Sequence, residues 1–123
     1  MSSQTGSALK RATERRHRRH PRYRCEFPVA IILFSGNEHQ RLDGHCRDLS
    51  EAGVGVLIAA ELVLGEVADV AFSLPDMPRS WDLRAVLRHR RGFHYGFEFI
   101  ALSDQQSKDL AAYVAGRERV DSE

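Results

Sequence analysis

The stretch "WDLRAVLRHRRGFHYGFEFIA" (81–101) constrains the fold of this chain more than any other. Trp81, Leu83, Ala85 and Leu87 alternate with Asp82, Arg84, Val86 and Arg88, and Phe93, Tyr95, Phe97 and Phe99 repeat the same interval. Successive side chains on a strand point to opposite faces, so each segment lays one apolar face on a core. "RRG" between them supplies the turn. The segment is a β-hairpin, and both apolar rows are expected inside.

Four further segments read as strands. "CEFPVAIILF" (25–34) is rich in β-branched and aromatic residues, with Pro28 near its start, where a missing N–H is tolerated on an edge. "SGNEHQ" is turn chemistry, and "RLDGHCRD" (41–48) is a more polar strand. "GVGVLIA" (53–59) reads as a buried strand whose Gly55 allows a bend or a close backbone approach. "EVADVAFSL" (66–74) alternates, with Val67, Val70 and Phe72 expected in the core, and "PDMP" breaks the chain after it. One helix closes the sequence. Ser103 and Gln106 form a capping box, Asp104 suits the helix dipole, Gln106, Leu110, Tyr113 and Val114 share a stripe, and Gly116 is a stop. Six short strands in 123 residues predict a mainly β domain, a six-stranded antiparallel barrel with a C-terminal α-helix, because closure removes exposed edges.

The net charge of +1 hides an asymmetry. Lys10 to Arg24 hold eight basic residues against Glu14 alone, leaving ten basic and sixteen acidic residues elsewhere. A cationic arm on an anionic body seeks an anion, or else is a solvated tail. We divide the chain into a flexible tail (1–14), a domain (15–116) whose residues 15–24 are the basic arm, and a C-terminal tail (117–123). No apolar run approaches the roughly 20 residues a membrane helix needs, and the N-terminus has no signal-peptide h-region. Cys25 and Cys46, without a C-x-x-C, read as half-buried reduced thiols of a cytoplasmic protein; a disulfide stays open if their strands are neighbours.

"RDLSEAGVGVLI" (47–58) carries the chemistry. Asp48 and Ser50 are two apart, so an extended segment projects them from one face. A carboxylate accepts paired N–H donors such as the Watson–Crick edge of guanine, and a hydroxyl beside it donates to a phosphate oxygen. Gly53 ends the turn where a side chain would obstruct a ligand. The guanidinium forks of Arg18 and Arg22, with Pro21 stiffening the chain between them, fit phosphate or guanine O6 and N7.

Arg18-Arg19-His20-Pro21-Arg22 matches the R-x-x-x-R motif, and Asp48-Leu49-Ser50-Glu51-Ala52-Gly53 the [D/N]-x-S-x-x-G motif, of the PilZ domain. "YGFEFIAL" (95–102) before a terminal helix is similar to that family's closing strand, so the resemblance spans roughly residues 15–116. It implies a bacterial receptor for cyclic di-GMP without catalytic activity or cofactor. Arg18 and Arg22 would clamp bases and phosphates, Asp48 and Ser50 would bind a guanine edge, and Gly53 would let the ligand approach. His17, Arg19 and Arg47 are additional candidates. His17 stands where many members carry arginine, and the choice between one ligand and an intercalated pair stays open. A polar, like-charged arm is expected to be mobile without ligand and to close over the barrel on binding, changing the surface a downstream protein partner meets.

Other readings were weighed against this one. A PilZ-like module that binds only proteins fits the same fold. A nucleic-acid binder shares the basic arm, but the remaining chain is acidic and lacks an aromatic RNA-binding motif. His45, Cys46 and Asp48 have nucleophile-like types, but neighbours on a strand point apart. His89 and His94 flank a hairpin and could face each other without enough ligands for a metal. Arg88, Arg90 and Arg91 read as a solvated turn, with added phosphate contacts as the alternative.

Overall fold

A computed structural model describes residues 21–35, 37–74, 80–117 and 119–120. The expected N-terminal tail and the arm up to residue 20 lie outside the described residues, as do 121–123 of the expected C-terminal tail.

Strands β1 (Arg22–Ser35), β2 (Glu38–Leu49), β3 (Gly53–Ile58), β4 (Val67–Ser73), β5 (Ser80–Arg91) and β6 (His94–Phe99) precede helix α1 (Asp104–Ala115) and a two-residue β7 (Arg119–Val120). All pairings are antiparallel, in the order β2-β3-β6-β5-β4-β1, and β1 also pairs with β2. That last pairing closes the six-stranded barrel foreseen from sequence. Pro28 falls one residue before the β4 ladder begins at Val29, so its missing N–H interrupts no bond to β4.

Alternation fills the interior. Cys25, Phe27, Val29, Ile31 and Leu33 from β1 meet Val54, Val56 and Ile58 from β3, and Trp81, Leu83, Ala85 and Leu87 from β5 complete that wall with Tyr95, Phe97 and Phe99 from β6. Helix α1 adds Leu110, Tyr113 and Val114 to the same core, and both halves of the Ser103–Gln106 capping box are formed. Phe72 stacks between Phe27 and Trp81, at ring-centroid distances of 5.3 and 6.2 Å.

Several expectations need correction. Val67 is exposed, because β4 turns Ala68, Val70 and Phe72 inward and leaves odd positions outside. Phe93 is 53% exposed, since it belongs to the turn that Gly92 opens at φ +61°, and the alternation starts only at His94. β2 is longer than expected and runs from Glu38, paired with β1 along its polar half. β1 starts at Arg22, inside the basic arm, because β2 and β7 supply ladder partners there: Tyr23 faces Leu49, Arg24 faces Asp48, and Arg22 and Tyr23 face Val120 and Arg119. β7 itself lies in the segment expected as a tail. The two cysteines are fully buried, not half-buried.

One side chain anchors the first half of the crossover from β3 to β4, and backbone bonds between Gly65, Glu66 and Leu87 of β5 anchor the second. Tyr95 is fully buried, and its hydroxyl donates to the Ala60 carbonyl at 2.6 Å while accepting from the Leu62 N–H at 3.1 Å. Tyr95→Phe keeps the ring and strands both backbone groups. Chemical denaturation should show a loss of about 1–3 kcal/mol, the cost of leaving buried polar groups unpaired; an unchanged midpoint would show that the loop finds other partners.

Candidate functional site

Cys46 and Asp48 would share a face in a regular strand, and Cys46 points into the core. A bulge separates them. Between these residues β2 carries Arg47 as an extra residue against β3, where Cys46 faces Val56 but Asp48 faces Gly55. Against β1, Cys25 and Glu26 lie opposite Arg47. A bulge re-aims a side chain, and here Asp48 is turned to the outer face over Gly55, still largely buried by its neighbours, while Leu49 stays in the core. Arg47 is left exposed.

The outer row at this level runs Arg24, Asp48, Gly55, Gly96, His89 across β1, β2, β3, β6 and β5. The two glycines at its centre give their side-chain space to neighbours, Gly55 to the Asp48 carboxylate and Gly96 to His89. A Cβ at Gly55 would stand 2.6 Å from the Asp48 Oδ2 atom, so Asp48 lies where a side chain would otherwise be. The carboxylate is flanked by two cations or potential cations: Arg22 Nη1 is 3.8 Å from Oδ1 and His94 Nε2 is 3.6 Å from Oδ2. The Asp48 side chain is 12% exposed. Below it, the Cys46 thiol donates to the Asp48 carbonyl at 3.4 Å.

Ser50 is not aligned with Asp48. It lies beyond the end of β2, where strand alternation no longer applies. Its Oγ accepts from the N–H groups of Ala52 and Gly53 at 3.0 and 3.1 Å, and its own N–H donates to the Gly53 carbonyl. With its hydroxyl 3.4 Å from that same carbonyl, Ser50 locks the β2–β3 turn. Gly53 has a packing reason for its lack of a side chain, because a methyl there would overlap the Phe97 carbonyl oxygen on β6. Arg18, His17 and Arg19 lie outside the described residues.

The remaining candidates are dispersed. His45 is exposed while Cys46 faces the core, so the two do not converge. His89 faces Gly96 and His94 faces Arg91, so these histidines stand in different rows. Arg88 donates to Glu98 at 2.8 Å; Arg90 donates to the Gly92 carbonyl and lies over the Tyr95 ring. Cys25 and Cys46 sit on neighbouring strands as buried free thiols that interact with each other. That interaction, followed by burial, pushes the Cys46 thiol far above its ordinary range, and it lowers Cys25 with help from the Arg117 guanidinium. Among the described residues no group of three or more His, Cys, Asp or Glu could hold a metal ion, and no helix is long and apolar enough to cross a membrane.

Two signals for this site were not used in reading the sequence. Gly55 is the seat of Asp48, and His94, far away in the chain, reaches the same carboxylate across β3. The two glycines of β3 should differ under substitution. Gly53→Ala meets backbone that cannot yield, whereas Gly55→Ala meets a side chain free to rotate. Urea denaturation should show Gly53→Ala losing about 1–3 kcal/mol, as overpacking does, and Gly55→Ala losing less; the reverse order would refute this assignment.

The family profile described as "PilZ domain" matches residues 15–116. A search of curated proteins finds no match. Among solved structures, the PilZ domain of CeSA from a cellulose-synthesizing bacterium is 21% identical with a TM-score of 0.60, over 77% of this chain and 95% of that one. The Bacillus subtilis inhibitor of motility (MotI/DgrA) is 18% identical with a TM-score of 0.61, over 78% of this chain. The match spans 48% of that longer protein. The PilZ domain of YcgR from Escherichia coli, solved with c-di-GMP, is 20% identical with a TM-score of 0.58, over 80% of this chain and 89% of that one. At such identities the structures share the fold. With the profile covering most of its length, the chain belongs to the PilZ domain family.

Proposed function

We propose that this chain is a bacterial, cytoplasmic receptor for cyclic di-GMP, a binding module and not an enzyme. One observation carries the reading: Arg22 of the first motif stands 3.8 Å from Asp48 of the second, on the outer face of the barrel where the carboxylate lies over Gly55. The bulge that turns Asp48 out of the core supports it, because it sets the carboxylate beside Arg22 on the outer face. The structure of YcgR with c-di-GMP supports the choice of ligand class.

In this reading Asp48 accepts the guanine N–H donors. Arg22 and Arg18 meet phosphates and base edges through their forks. Ser50 and Gly53 act mainly by holding the turn that presents Asp48. His17, Arg19 and Arg47 are further contacts of the arm and bulge. Drawing the arm onto the barrel changes the face that a downstream protein partner meets.

Calorimetric titration tests the ligand. Cyclic di-GMP should bind in preference to GMP, GTP and cyclic di-AMP. Arg18→Ala and Arg22→Ala should each weaken it by about 1.5–3 kcal/mol, the worth of a charge-assisted hydrogen bond. Asp48→Ala should weaken it and relax base choice; equal affinity of the wild type for cyclic di-AMP would remove Asp48 from that role.

Hydrogen exchange tests the arm. Residues 22–24 already belong to β1, so the amides at 16–20 should gain protection on ligand addition while β4 changes little. No gain there would leave a receptor without an arm movement.

A further inference from the structure

We propose that His94 is a further residue of this site, a positioning residue whose protonated imidazole holds Asp48 from the side opposite Arg22 and makes ligand binding tighter as pH falls. The inference rests on the reading of Asp48 as the ligand's acceptor.

His94 lies on β6, with β3 between it and Asp48. Its reach depends on glycine. In register it faces Leu57, and the neighbouring outward position on β3 is Gly55, which has no side chain to bar the way. Nε2 thereby comes within 3.6 Å of Oδ2, matching the 3.8 Å approach of Arg22 to Oδ1. Both separations exceed a good hydrogen bond. The flanking groups therefore act on the carboxylate by charge and leave it acceptor sites for a ligand, since an ionised carboxylate has about four.

The surroundings make His94 the variable member. Arg22 from β1 and Arg91, its register partner on β5, carry permanent charge. Asp48 from β2 faces it as the acid, and the Glu98 carboxylate further along β6 is engaged by Arg88. His45 stands beyond Leu57 in the same row, and His89 in the next. An imidazole changes charge near neutral pH, which arginine does not. Protonated, His94 holds the carboxylate and adds a positive charge beside an incoming dianion. Ligand binding and proton binding at this position then favour each other, by equal factors in both directions.

The test is the affinity of the full chain for cyclic di-GMP at pH 6 and pH 8. Wild type should bind about fivefold tighter at pH 6, the lower end of usual coupling. His94→Gln, neutral at both pH values, should lose that difference and stay at the weaker affinity. His94→Arg should lose it and stay at the tighter one, a rescue that a merely structural role would not produce. His45→Gln and His89→Gln should keep the wild-type profile. A pH dependence that survives His94→Gln, that moves to His45 or His89, or that is absent from a binding wild type overturns the role of His94 alone. No binding at either pH overturns the receptor reading, and this inference with it.

Discussion

The structure depends on β1 pairing on both flanks. Its Val29–Leu33 segment faces β4 while the same strand runs along nearly all of β2. Remove either ladder and the six strands become an open sheet with two free edges, which would expose Phe27, Ile31 and Leu33 on one side and unpaired amides on the other. Closure lets a chain of this length hide three walls of apolar side chains with a single twelve-residue helix as cover. The five odd positions from Cys25 to Leu33 carry apolar or sulfur-containing side chains because each of them lines that closed interior.

Closure also imposes register, and register is broken beside Asp48 on β2, as it is between Leu87 and His89 on β5. Every strand sends alternate residues inward, so a carboxylate two positions from the buried Cys46 would enter the core if β2 were regular. Burying an ionised carboxylate there would be far costlier than displacing one ladder bond. The extra residue at Arg47 resolves that conflict, and the Cys46 thiol bonded to the Asp48 carbonyl bridges the irregularity from beneath. Gly55 and Ser50 serve the same end, one by leaving room and the other by fixing the turn that follows. The site is thus made by a local departure from the rule that makes the barrel.

Much of the architecture was legible because alternation is a local property. The inner faces of β5 and β6 could be read from Trp81 to Leu87 and from Tyr95 to Phe99, and the Ser103 capping box marked the helix start without knowledge of anything around it. Errors arose where a neighbour decides. Val67 and Phe93 are apolar residues at strand ends, and only the positions of the turns reveal which face they fall on. Arg22 to Arg24 look like part of a charged arm until β7 and β2 are present to pair with them. The two motifs were visible as residue types at fixed spacing, but the bulge was not, since it is defined by two partner strands at once. His94 was invisible as a neighbour of Asp48 because their proximity is created by β3 lying between them.

The short strand β7 has a consequence for how Arg22 works. Its backbone is held opposite Val120, and the next two residues are laddered to β2. The backbone of Arg22 is therefore ordered by folding, and only its side-chain torsions remain to be fixed in a contact it makes. Ordering one residue's backbone costs about 1–2 kcal/mol, roughly a tenfold difference in affinity. Arg22, whose backbone the fold already orders, carries no such penalty for any partner its guanidinium meets.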